Sequence, residues 1–250
     1  MVVKECPSVT MAELVRFLTK IEIQLMQHTS LPKLRVWDLP TRVFHWSLSA
    51  CVVGLFITAK IGGAAMAWHF YLGYSVLSLL MFRLLWGVFG GYWSRFTTFI
   101  YSPLTLLRFL RGQRRPEHRV GHSPLGALSV LSLLLFLAAQ VATGLVSDDE
   151  IANSGPLSRL VSNATVNLAT WYHKDVGQFI LFGLVMLHLV TVVFYTLKKR
   201  QKLVASMIHG DKQVSLKLPA SRDDTPSRLL AAFLLLSCAA LVFWLIQRVS

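Results

Sequence analysis

The sequence is poor in cysteine and in acid. Its 250 residues hold three cysteines, Cys6, Cys51 and Cys238, scattered singly, so neither a disulfide framework nor a zinc motif is readable. No C-x-x-C-H occurs, which excludes thioether attachment of a haem. Twelve Asp and Glu face 25 Lys and Arg, and acid is missing from the long apolar runs apart from Asp175 at the mouth of one. A metal transporter built on intramembrane carboxylates or thiolates therefore finds few of its ligands here. No cleavable signal peptide is evident, and the first apolar run is expected to act as a signal anchor.

What the chain has in abundance is apolar length. It is 54% hydrophobic with mean hydropathy +0.54. Five runs, at about 43–61, 68–89, 123–146, 172–197 and 229–246, each approach the ~20 residues that a spanning helix needs. The cations fall between them in alternation. Segments 1–42, 94–121 and 198–228 are rich in Lys and Arg, whereas the other two loops hold Lys60 alone and Arg159 alone, the latter beside Asp148, Asp149 and Glu150. By the positive-inside rule the N-terminus is cytoplasmic and five spans leave the C-terminus outside. The net charge of +13 is then topology and attraction to anionic membrane lipid, with no nucleic-acid partner.

The expected fold is an all-α integral membrane protein, a four-helix transmembrane bundle plus a fifth C-terminal transmembrane helix. Residues 1–35 read as a weakly ordered cytoplasmic extension and 36–212 as the four-helix domain. Residues 213–226, polar and holding Pro219 and Pro226, read as a cytoplasmic linker, and 227–250 as the final helix. Pro103–Arg111 alternates apolar and basic residues at helical spacing and is expected along the cytoplasmic surface. A short external helix is expected within 155–170.

Histidines in the apolar runs carry the chemistry, because an ionisable group in a span is unfavourable without a partner. His173 and His188 lie fifteen residues apart on one run, ~22 Å along a helix and so near opposite faces of the bilayer. His69 opens the second run on the outer side, and His45 follows Arg42 at the inner start of the first. The depths pair His69 with His173 outside and His45 with His188 inside, the arrangement for two bis-histidine haems. Glycines follow at i+4: Gly73 after His69, Gly177 after His173 and Gly126 after His122, each expected to leave room on the face of its imidazole. Gly144 is expected to open the outer layer on the third helix. Arg83, fourteen residues after His69, is a candidate partner for an inner haem propionate. His122 stays open between that same role and replacing His45 as ligand. His28, His118 and His209 lie in polar segments and are expected to be solvated.

Four stretches resemble the bacterial cytochrome b561 family, in the branch related to the b-type cytochrome subunit of nickel–iron hydrogenases. They are VWDLPTRVFHW (36–46), WHFYLGYSVLSLLMFRLLWG (68–87), GHSPLGALSV (121–130) and YHKDVGQFILFGLVMLH (172–188). The resemblance spans about 36–212. It implies a bundle holding two non-covalent haems b, with iron ligands His45 and His188 on the inner side and His69 and His173 on the outer. Members commonly have an acid directly after the fourth-helix histidine, where this chain has Lys174 and then Asp175.

The function expected is transmembrane electron transfer by a dihaem cytochrome in the bacterial inner membrane, an electron carrier more than a stand-alone enzyme. It would link the quinone pool to a c-type cytochrome or an oxidoreductase subunit on the outer face. Quinone is a further candidate ligand, although no quinone motif is readable, and assembly into a homo-oligomer stays open. Two alternatives remain: a membrane anchor subunit of a hydrogenase-like oxidoreductase, and a superoxide:quinone oxidoreductase. The second sits poorly with the acidic outer loop, which opposes steering of an anion.

Overall fold

The computed structural model describes residues 10–28, 32–113, 115–149, 153–215 and 217–249. Lys4, Cys6, Arg114 and Glu150 lie outside these. Among the described residues, five helices are long and apolar enough to cross a membrane: Leu39–Ile61, Gly63–Phe89, Pro124–Val146, Asn163–Leu197 and Thr225–Val249. Much of their surface is apolar and exposed, as at Val53, Ile57, Leu135, Phe182, Val190 and Phe233, which suits contact with lipid.

The elements run in the order α1 (Met11–His28), β1 (Lys33–Arg35), α2 (Leu39–Ile61), α3 (Met66–Phe89) and α4 (Pro103–Leu110). Next come α5 (Pro124–Val146), α6 (Asn163–Trp171), α7 (Gln178–Leu197), α8 (Leu203–His209), β2 (Asp211–Gln213) and α9 (Thr225–Val249). A π-helical turn, Tyr172–Gly177, joins α6 to α7. The fourth span is therefore one rod of 35 residues, ~50 Å long and longer than its apolar run suggests. It absorbs the short external helix expected before it.

Helix α3 is the centre of the packing. Phe44 of α2, Leu79, Phe82 and Trp86 of α3, and Ala231 and Cys238 of α9 form one core. Val76 and Leu80 of α3 meet Leu137 and Val141 of α5 and Leu181 of α7 in a second. Helix α7 packs along α5, whereas α2 and α3 pack on each other.

The basic end is closed by a collar. Asp38, fully buried, caps α2 by accepting the Thr41 N–H at 2.8 Å. Its carboxylate also accepts from Trp86 Nε1 at 3.2 Å, Gly91 N at 3.2 Å and Ser94 Oγ at 2.7 Å. A side chain at Gly91 would bring its Cβ to 2.4 Å from Asp38 Oδ2, so the glycine is required. The stretch expected to be a plain linker is tied into this collar. β2 pairs antiparallel with β1, Ser221 N donates to Arg35 O, and Ser221 Oγ donates to Val36 O at 2.7 Å. Asp223 accepts from Leu39 N and pairs with Arg228 at 3.0 Å and Arg35 at 3.2 Å. The fifth helix is consequently packed on α3 and α2 and is not a separate appendage. Within the extension expected to be weakly ordered, the described residues include α1 and β1, and the strand is fixed by pairing with β2.

Two predictions follow from the collar's chemistry. Asp38→Ala strands four donors in a buried place, and the unfolding free energy is expected to fall by ~3–5 kcal/mol, read as a lowered thermal midpoint in detergent. Burial pushes the Asp223 carboxyl up, but its hydrogen bonds from Arg228 and Leu39 and the charges of Arg228 and Arg35 outweigh this and hold it below its ordinary value. A depressed carboxyl stabilises the fold above its unfolded value and loses that contribution as pH falls through the folded one. Asp223→Asn is therefore expected to lower the midpoint at pH 7 and to narrow its gap to the unsubstituted protein below about pH 4.

Candidate haem site

The outer pair is assembled by three helices. His69 sits in the first turn of α3, and His173 lies in the π turn. Their ring centres are 6.2 Å apart with planes at 84°. His69 Nδ1 lies 3.2 Å from Leu55 O and 3.2 Å from Thr58 Oγ1, and His173 Nδ1 lies 2.9 Å from Gln140 O. A carbonyl can only accept, so each Nδ1 carries the proton and each Nε2 keeps its lone pair. Such a backbone anchor at the second ring nitrogen is the usual support of a metal-ligating histidine. Gly144 lets the His173 ring approach α5, since a Cβ there would stand 2.7 Å from His173 Cε1.

The inner group is larger. His45 on α2 and His188 on α7 interact electrostatically, and His122 lies within the electrostatic reach of both His188 and Arg83. The His122 ring contacts Trp37 (4.8 Å between centres) and Phe99 (4.6 Å). Burial first, then the charges of Arg83, Lys212 and His188, push His122 down to about 3, so it is neutral at any physiological pH. Lys212, whose Nζ donates to Val120 O at 2.8 Å, is pushed down to about 8 by burial. Arg83 is 4% exposed and lies over the Phe96 ring at 4.7 Å. His45 Nδ1, Arg83 Nη1 and His122 Nδ1 are all buried without a protein partner.

The glycines divide. Gly73, one turn beyond His69, has nothing within 4 Å of a Cβ placed there, so space is open beside it. Beside Gly177 it is not: Gln140 Oε1 and the Tyr172 ring fill its flank, because the π turn breaks the i+4 register with His173. Gly126 does not share a helical face with His122, which precedes the N-cap Ser123, and its nearest neighbour is Ser123 Oγ at 3.2 Å. Sequence reasoning missed Gln140 and Thr58. The signal for Gln140 was a lone amide in an otherwise apolar helix interior.

Two imidazoles ligating one first-row metal ion from opposite sides, through bonds of ~2.0 Å, stand with ring centres ~6 Å apart. The outer pair meets that spacing with both Nε2 lone pairs free. No cluster of three or more His, Cys, Asp or Glu able to hold a metal ion occurs among the described residues, so a site closed by protein ligands alone does not fit there. A metal whose remaining positions come from a flat macrocycle does. Five spans and a pair of imidazoles at this spacing are what a membrane cytochrome of the b type would need.

The family profile of the prokaryotic cytochrome b561 matches residues 36–210, and the chain belongs to that family. It is 25% identical to a probable Ni/Fe-hydrogenase B-type cytochrome subunit of Bradyrhizobium diazoefficiens, over 73% of this chain and 87% of that protein. It is also 25% identical to a like-named subunit of Rhizobium leguminosarum, over 71% and 87%, and 23% identical to one of Cupriavidus necator, over 70% and 85%. No solved structure gives a significant match. The chain is thus a multi-pass membrane cytochrome that binds haem b and transfers electrons.

The glycine contrast can be measured directly. Gly144→Ala forces the His173 ring away from α5 and is expected to cost ~1–3 kcal/mol in unfolding free energy. Gly73→Ala meets no neighbour and is expected to cost nothing, or to gain up to ~1 kcal/mol in protein freed of cofactor, by helix propensity. Thermal melts of both variants, with and without bound haem, check the pair.

Proposed function

We propose that the chain holds two haems b, one near each face of the membrane, and carries electrons between the quinone pool and a redox partner on the outer side. The observation that carries this reading is the His69–His173 pair, 6.2 Å between ring centres with each Nδ1 anchored on a carbonyl. These two histidines are the proposed ligands of the outer haem, and His45 and His188 those of the inner. When bound, the haem iron supplies one-electron redox chemistry. The protein's part is to fix ligand orientation and to set the local charge.

Arg83 and His122 are assigned to the inner propionates, not to iron. A guanidinium with one buried, unpartnered N–H suits a carboxylate. His122 is held edge-on by Trp37 and tilted by Phe99 at the end of the bundle, where a propionate would emerge. His45, six residues into α2, is deeper. Lys212 adds positive charge on the same side. The two layers are ~22 Å apart along the fourth span, most of a hydrocarbon core ~30 Å thick.

The relatives' name supports a partner of the oxidoreductase class; we assign it to the outer face, with a c-type cytochrome as the other candidate. On the first reading the chain is the membrane subunit of that enzyme. The basic end, holding α1, α4 and α8, is assigned to the cytoplasm of a bacterial cell by its cations. Co-purification from the native membrane separates an enzyme subunit from a free-standing carrier.

The test is haem content and ligand loss. A pyridine haemochrome assay on loaded protein is expected to give two non-covalent haems per chain. His69→Ala or His173→Ala should remove one low-spin signal in electron paramagnetic resonance and leave the other. His45→Ala or His188→Ala should remove the second. Loss of the inner signal in His122→Ala but not in His45→Ala reverses the inner assignment, and one haem per chain overturns the dihaem reading.

A further inference from the structure

Between α3 and α5 the chain forms a second cationic site, separate from the histidine pairs. A cavity of about 180 Å³ is lined by Thr105 and Arg108 of α4 with Gln113, Arg115 and His118 from the loop that follows. Among the described residues no carboxylate lines it. Arg108 and Arg115 take part in no ion pair among the described residues, and Glu117, the acid of this loop, stands outside the lining. His118, expected to be solvated, is 7% exposed, wedged edge-on between Tyr101 (5.4 Å) and Phe109 (5.6 Å). Its Nδ1 accepts the Arg115 N–H at 3.3 Å, so its proton sits on Nε2 and is available for donation.

The surface beside the cavity identifies what would occupy it. At 100° per residue, Leu104, Leu107 and Leu110 of α4 form one arc, with Arg108 and Thr105 next to it and the buried Phe109 beyond. The three leucines are 55%, 43% and 61% exposed. α4 lies in the chain between two spans, α3 and α5, and an amphipathic helix in that place suits the membrane surface. Two guanidiniums, an imidazole N–H, an amide and a hydroxyl around a space of this size match a phosphate group, which accepts at several oxygens. An apolar arc adjoining them matches acyl chains.

We propose that this cavity seats the phosphate of an anionic membrane phospholipid, held by Arg108, Arg115 and His118, with its acyl chains lying along Leu104, Leu107 and Leu110. The site pins the loop between α3 and α5 to the membrane surface. A soluble phosphate shares the headgroup chemistry but leaves the leucine arc unused.

Native mass spectrometry of the purified haem-loaded protein tests this, with dioleoylphosphatidylglycerol added in limiting amount. Dioleoylglycerol, with the same acyl chains and no phosphate, is the comparison. One phosphatidylglycerol is expected to stay bound to the unsubstituted protein, and dioleoylglycerol is expected to be lost. Arg108→Gln/Arg115→Gln should lower the retained fraction about tenfold, while Arg159→Gln, at the opposite end, should leave it unchanged. An unaltered visible haem spectrum certifies the fold of each variant. Equal retention of dioleoylglycerol, which needs only the unsubstituted protein, overturns the proposal. So does unchanged retention in the double variant, or displacement of the lipid by millimolar inorganic phosphate, which makes this a site for a free anion.

Discussion

The geometry of the bundle hangs on one buried carboxylate. Asp38 starts α2, receives Trp86 from the end of α3 and holds the Gly91–Ser94 turn that leaves the membrane. A bare carboxylate in such a place is strongly unfavourable, and four donors make it tolerable. Because the donors come from three segments, satisfying the charge sets where the first span begins relative to where the second one ends. His45 then falls nearly two turns into α2, and Arg83 falls one turn before Trp86 on α3. Arg83 therefore stands closer to the collar than His45 does. Helix length carries the alignment to the other face, where His69 stands fourteen residues from Arg83.

The two ends of the bundle are built for different electrostatic work. At the outer pair both imidazoles are anchored on carbonyls. At the inner group the neutral imidazole of His122 sits among Arg83, Lys212 and His188, and buried N–H groups are left unpartnered. A surplus of donors and positive charge is what an acidic group requires, and the haem propionates are the acidic groups this family's cofactor carries. The acid-poor spans noted in the sequence fit this, since a protein carboxylate near Arg83 would compete for the same donors.

The spans and their order were legible in the sequence because hydropathy and helical rise act locally and set depth, and on that depth the ligand role proposed for the four histidines rests. Facing distance is a tertiary quantity, and it emerged only from α5, which supplies the Gln140 carbonyl to His173 and the Gly144 gap beside its ring. The glycine rule failed where its premise failed: Gly177 lies in a π turn and Gly126 follows a residue outside the helix. The segment 213–226 read as a linker because it is polar. Its polar groups are instead spent on backbone and side-chain partners in the collar, a pairing that composition does not reveal. His118 misled for the same reason, a buried ring in a basic loop.

The π turn at Tyr172–Gly177 shows why Gln140 belongs to the site. Widening one turn rotates everything beyond it and breaks the regular i→i+4 ladder, which leaves carbonyls in need of donors. The Gln140 side chain donates to His173 O at 2.9 Å, while the Gln140 backbone carbonyl accepts a hydrogen bond from His173 Nδ1–H. One residue of α5 thus compensates the irregular turn and also selects the tautomer that the turn presents. Gln140 Oε1 has no partner of its own and lies against Gly177, where only a glycine leaves space for it. Gly177, Gln140, Gly144 and His173 are therefore a single packed unit across two helices. The glycine that seemed to make room for a cofactor makes room instead for the amide that braces His173, the proposed ligand.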